Sequence, residues 1–335
     1  MPKNKNNTII SWIRAFNKKY AIGIPLILLI VSTGIFFSLQ KNVTEPGTIG
    51  RLINSNFRTW LPVLLLTMGQ GLVLIGGGLD LSNGAIVSVG NVILALNITT
   101  ADEPWHNLGI VALVIGFGLA AGFLNGFLTV SLGLQPVIVT FATSYIYAGL
   151  ALLMLPTPGG AIPREYTNVY RNTQYLGIPI SLIILILFLL IWAIFRHRKY
   201  GRFLYAVGGN PKAAYTTGVP VTWMKISTYV LSGLLASFGA ISYSLLTGSG
   251  FSGSGADMML PSITGAIIGG ISFSGGSGSI LGAVFGGIVL GNIRRIISIV
   301  RIDSWAVTLV NALIILFALA APGFINLLRR KKKHE

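Results

Sequence analysis

Asp80 is the only acidic side chain placed at the end of an apolar stretch rather than in an evident loop or tail. A carboxylate at membrane depth costs about 3 kcal/mol or more unless it is paired, hydrogen-bonded or wetted, so its type alone marks it as a functional candidate. The competing use is structural: Asp80 or Ser82 would cap a helix beginning near Gly84, taking up backbone N–H groups that lipid cannot satisfy. Gln70, Asn91, Asn125 and Gln135 are uncharged polar groups within or beside apolar stretches. Their amides have the chemistry to hydrogen-bond a neutral polyol, although bonding between helices is the commoner use of such groups. A second set lies in a basic stretch from Arg196 to Lys225, where Val207 to Val219 is not apolar enough to cross a bilayer. There Asn210 suits a helix N-cap, Pro211 the first helical position and Gly218 a left-handed stop, with Lys212, Ala213 and Ala214 between them. This spacing predicts a surface helix of about two turns, too short to be stable alone and therefore docked on something.

Catalytic patterns are missing. His106, His197 and His334 are scattered, and neither a zinc-binding H-E-x-x-H nor a phosphate-cradling G-x-x-x-x-G-K-[ST] occurs. With no cysteine, thiolate metal sites, disulfides and cysteine nucleophiles are excluded together. The reading is therefore no catalytic residue, no metal, no cofactor and no ATPase site, with any driving force coming from a partner or an ion gradient.

These residues must be positioned by elements suited to lipid. Of 335 residues, 53% are hydrophobic and only 10% charged, against roughly 25% charged in soluble domains. The net charge of +16 does not point to nucleic acid, because the basic residues gather at the N-terminus, one central run, the tail and a few loops instead of on one folded face. A bilayer core about 30 Å thick needs roughly 20 apolar helical residues. Ten segments qualify or nearly so: 20–39, 60–77, 84–96, 108–130, 136–155, 178–195, 223–246, 261–272, 279–297 and 305–320. The third and eighth are short and read as half-helices or buried segments. The basic flank before the first span resembles that of a signal peptide, but the length of the span and the lack of a cleavage pattern before Lys41 favour a retained helix.

The expected fold is thus an all-α integral membrane protein of about ten transmembrane helices, some short or broken. Placing both termini in the cytoplasm puts sixteen of the 24 Lys and Arg residues inside, as the positive-inside rule requires. Arg294, Arg295 and Arg301 then fall on the other side, to snorkel or line an outer vestibule. The organisation is a basic N-terminus at 1–19, one membrane domain at 20–325 with a cytoplasmic loop at 196–222, and a basic tail at 326–335. In this setting Gln70, Asp80, Ser82, Asn91, Asn125 and Gln135 form the candidate translocation pathway. Two glycine series at four-residue spacing, Gly118-Gly122-Gly126 and Gly278-Gly282-Gly286, each predict a helix groove for close packing. Residues 76–84 and 269–278 echo one another as Gly/Ser-rich breaks after apolar runs, and paired interruptions point to a transport pathway.

Three segments carry a resemblance to the membrane subunits of ribose-type ABC sugar importers. They are Gly76-Gly77-Gly78-Leu79-Asp80-Leu81-Ser82, then Gly122 to Gly126 with Leu132 to Thr140, and Tyr200 to Pro211 with Ala213, Ala214 and Gly218. The likeness covers about 56–324. It implies a permease dimer, of identical or paralogous subunits, with an ATPase partner and an extracytoplasmic sugar-binding protein, in the inner membrane of a bacterium. Asn210, Pro211, Lys212, Ala213, Ala214 and Gly218 would then belong to the coupling helix gripped by the ATPase. Asn83, at a position often apolar in the family, and Arg294-Arg295, in a stretch usually less charged, depart from the pattern and leave open the solute: ribose, another monosaccharide, a nucleoside or a furanosyl compound such as autoinducer-2. An ion-coupled secondary transporter is the alternative, but it would place ionisable residues mid-span, and only Asp80 approaches that.

Overall fold

The computed structural model of the protein describes residues 22–40 and 44–301, with six further positions between 303 and 316. Most of the expected tenth span lies outside the described residues. So do the basic N-terminus and tail.

The described chain is mostly helical. Its helices are α1 (Gly23–Ser38), α2 (Thr48–Ile75), α3 (Asn83–Asn97), α4 (Pro104–Val130), α5 (Pro136–Met154), α6 (Arg164–Asn172), α7 (Ile180–His197), α8 (Lys199–Gly209), α9 (Pro211–Thr216), α10 (Val221–Thr247), α11 (Ala256–Ile268) and α12 (Ile280–Val300). Six of them, α2, α4, α5, α7, α10 and α12, are long and apolar enough to cross a membrane; α1, α3 and α11 are shorter apolar helices. Strands β1 (Gln174–Tyr175) and β2 (Ile178–Pro179) form a small antiparallel hairpin between α6 and α7. Its two-residue turn uses Leu176 and Gly177, both at positive φ, the geometry whose twist matches paired strands.

Helices α2 and α10 form the centre, and α3, α4, α11 and α12 pack around them. The most apolar 18-residue stretch of α2 is 83% buried, whereas that of α7 is 17% buried, so the rest of the described chain leaves most of the surface of α7 uncovered. Helix α2 begins twelve residues before the apolar run that betrays it. Arg51, Asn54, Ser55 and Arg58 make its first turns too polar to read as a span, yet the helix is continuous through Pro62.

Close packing is built on glycine where helices cross. A Cβ at Gly118 or Gly122 in α4 would collide with the backbone of Gly233 or Tyr229 in α10, and one at Gly126 would press on Ile226. The first glycine series is therefore the groove its spacing predicts, where backbones approach closely and dispersion holds them. The second differs. Gly278 precedes α12, with φ +116°, so it belongs to a turn, and the helix surface facing α11 is made of Ala283 and Gly286 against Gly269 and Gly265. A period of four read from sequence cannot see where a helix starts.

Candidate functional site: two helix breaks and a surface helix

Helices α2 and α11 end in the same way. After α2 the N–H of Gly77 donates to Leu74 O at 2.9 Å and that of Gly78 to Val73 O at 2.9 Å, with Gly77 at φ +80°. After α11 the N–H of Gly270 donates to Ile267 O at 2.9 Å and that of Ile271 to Ala266 O at 3.1 Å, with Gly270 at φ +83°. Both are Schellman terminations, which satisfy the last carbonyls of a helix through a left-handed glycine. The echo between residues 76–84 and 269–278 is thus a repeated way of stopping a helix at an exposed left-handed glycine.

The first break holds the carboxylate. Asp80 is fully buried. Its Oδ1 accepts from the Ser82 N–H at 2.9 Å and the Ser82 hydroxyl at 2.7 Å, and its Oδ2 accepts from Ser232 Oγ of α10 at 2.8 Å. Ser82 Oγ in turn accepts from Asn125 Nδ2 of α4 at 2.7 Å, and Asn125 Oδ1 accepts from Thr143 Oγ1 of α5 at 2.7 Å. Three helices are laced to one turn by a chain of side-chain bonds. This corrects the capping expectation: α3 starts at Asn83, and Ser82 stands at its N-cap without a side-chain cap bond. Asp80 bonds the N–H of the N-cap residue itself, two positions on, and so organises the break and its neighbours, not the helix start.

Beside this chain lies a second polar cluster. Gln70 of α2, Asn83 of α3 and Ser262 of α11 are all fully buried. Asn83 Nδ2 donates to Ser262 Oγ at 3.2 Å and approaches Gln70 Oε1 at 3.5 Å, while Gln70 Nε2 and Asn83 Oδ1 find no partner in the chain. Buried polar atoms are seldom left so, and each such atom calls for a physical explanation. The other two candidates are placed elsewhere. Asn91 clamps the 248–255 turn, donating to Ser244 Oγ and Ser249 O and accepting from the Phe251 N–H at 2.8 Å. Gln135 is exposed at the N-cap of α5, where its side chain makes no cap bond.

The surface helix α9 has the anatomy its residues imply. Asn210 Oδ1 accepts from the Ala213 N–H at 3.0 Å, Pro211 is the first helical residue, and Gly218 follows the helix at φ +81°. Ala214 is buried against the protein; Lys212, Ala213 and Tyr215 face outward.

Helix α8 leads into α9 and ends on both breaks. A Cβ on Gly208 would overlap the carbonyl of Ile75 at the end of α2 and crowd the N–H of Gly276 in the second break; one on Gly276, at φ +67°, would strike Gly209. The Gly276 N–H donates to Ile75 O at 2.9 Å, joining the two breaks directly. Tyr205 of α8 donates to Gly278 O at 2.8 Å, and Arg196 reaches Ser279 Oγ at 3.3 Å. Burial raises the Tyr205 phenol above its ordinary range, against the opposing charge of Arg196, so it remains a neutral donor.

The chain matches the model of a family described as "Branched-chain amino acid transport system / permease component" over residues 52–319. The chain belongs to this permease family. It is 33% identical to the ribose import permease protein RbsC of Bacillus subtilis over 319 residues, covering 93% of this chain and 92% of that one. It is 29% identical to the autoinducer 2 import system permease protein LsrD of Photorhabdus temperata over 286 residues, covering 83% and 84%. No solved structure matches. The expected likeness to ribose-type ABC importer permeases therefore holds, and with six apolar helices of spanning length this permease is a multi-pass protein of the inner membrane.

Of the permease's predicted residues, the structure gathers Asp80, Ser82 and Asn125 into one chain and sets Gln70 beside it. Sequence reading missed their partners Ser232, Thr143 and Ser262, since serine and threonine inside apolar helices carry no distinguishing pattern. Asn83 was visible, as a departure from the family pattern. Helix α8 was missed because a basic segment with three glycines has neither the apolar length of a span nor a strong stop signal.

Proposed function

We propose that this permease moves a sugar across the inner membrane as one of two permease subunits of an ABC importer. A partner ATPase drives it by gripping α9, and an extracytoplasmic binding protein delivers the solute. The transported compound is ribose, another monosaccharide or a furanosyl relative such as autoinducer-2. The assignment brings with it about ten spans and cytoplasmic termini, which set Lys212 on the inner face.

The observation that carries the reading is the junction at Gly208 and Gly209. A docked surface helix with an exposed outer face is linked, within two residues and through backbone contact, to the end of α2 and to the loop between α11 and α12. A push on α9 therefore reaches the place where α2 stops and the segment that follows α11. Rigid segments rocking about such points would open the passage to alternate sides. Gln70, Asn83 and Ser262, with two amide atoms unpaired, offer the neutral hydrogen-bonding groups a sugar hydroxyl needs. Asp80 has its oxygens occupied by Ser82 and Ser232, which suits a structural post better than an ion-coupling site.

The test is ATP-dependent uptake of labelled ribose and autoinducer-2 by proteoliposomes holding the permease with its ATPase and binding protein. Ala213→Asp, on the exposed face of α9, should leave insertion and folding intact while uptake falls roughly tenfold, about 1.4 kcal/mol of lost coupling. Undiminished uptake by this variant would count against α9 as the ATPase contact.

A further inference from the structure

At the end of the bundle opposite the 198–220 loop, a crevice of about 400 Å³ runs between α4 and α7 down to α10. Val111 of α4 and Ile184 of α7 form its sides, Ile241 and Leu245 of α10 its floor, and Tyr166 and Tyr170 of α6 its roof. Three properties limit what can fill it. Its lining is almost wholly apolar, which suits neither a water-filled passage nor a sugar. Its two sides are helices of spanning length whose apolar stretches are largely exposed, so once these helices span a bilayer the mouth between them would face hydrocarbon. Its volume lies low in the range that holds one small molecule, too small for a helix of a partner chain about 10 Å across.

The roof cannot collapse to fill the space. Tyr170 Oη donates to Arg58 O at 2.9 Å and pairs with Ser242 Oγ at 2.7 Å, and burial pushes this phenol up to about 12, so it stays protonated in that position. Tyr166 Oη accepts from Asn107 Nδ2 at 3.1 Å, and Arg171 Nε donates to Leu246 O at 3.0 Å. With roof and floor fixed, an empty crevice forfeits the dispersion contacts of its lining, and a slender methylene chain restores them.

We propose that this crevice holds one acyl chain of a phospholipid in the leaflet away from the 198–220 loop. The lipid wedges α4 and α7 apart over α10, and the site is independent of which solute is carried. Native mass spectrometry of the full chain in mild detergent tests it. One phospholipid per chain should survive in the wild type and in Leu113→Trp, an exposed position of α4 outside the crevice, and should be lost in Val111→Trp, whose ring occupies the space. No retained lipid in the wild type, or equal retention in all three, overturns the proposal. Should Val111→Trp fail to fold, a photoreactive benzoylphenylalanine in place of Ile184 supplies a second readout. A light-induced adduct with phospholipid supports the site, whereas an adduct with a second copy of the chain, or none with lipid, overturns it.

Discussion

The two helix breaks end their helices with the same glycine geometry and both touch α8 at Gly208, but their side-chain bonds run to different partners. Residues 76–82 are tied inward, through Asp80 and Ser82 to α10, α4 and α5. Residues 269–279 contain no carboxylate and are tied to the surface loop, through Tyr205 to Gly278 and Arg196 to Ser279. The first break hangs on a fully buried carboxyl group whose three hydrogen bonds would all be lost on displacement, while the groups that hold the second, Tyr205 and Arg196, are only partly buried. On the proposed coupling, the first break is the fixed post and the second is the one that follows α9.

The sharpest way to break this contrast is at the point where the breaks meet. Gly208→Val places a branched side chain against the Ile75 carbonyl, and transport should fall well over tenfold in reconstituted vesicles, since the overlap is with backbone that cannot turn aside. Asp80→Ala should come next. It leaves the Ser82 N–H and the hydroxyls of Ser82 and Ser232 without their acceptor, for a loss of about 2–4 kcal/mol of stability. The measurement is thermal unfolding in detergent, and Asp80→Asn, which keeps an accepting oxygen, should recover more than half of the loss. If Asp80→Ala were as stable as the wild type and merely slower in transport, the fixed-post description would be wrong. The smallest effect belongs to Tyr205→Phe. Losing the bond to Gly278 O removes about 1 kcal/mol, and it should lower the uptake obtained per ATP hydrolysed with unfolding temperature almost unchanged.

Much of this arrangement was legible because it rests on local chemistry. Asn210, Pro211 and Gly218 delimit α9 in the sequence as they do in the structure, since caps and left-handed stops need specific residues at fixed offsets. The groove of Gly118, Gly122 and Gly126 was legible for the same reason. What the sequence hides is partnership at a distance. Asn91 and Asn125 look alike on their helices, yet one clamps a turn 160 residues away and the other completes the chain from Asp80. Gln135 differs from both: it lies exposed at a helix start and bonds no other helix among the described residues. Nothing in residue type separates these cases, because the difference is set by which helix comes alongside.

Helices α3 and α11 have 15 and 13 residues, about 22 and 20 Å of rise against a hydrocarbon core of about 30 Å. Neither reaches across, and α3 is buried along nearly its whole length. Thinning or thickening the surrounding bilayer should thus strain only the outer ring of α4, α5 and α7, leaving the interrupted centre insulated from lipid composition.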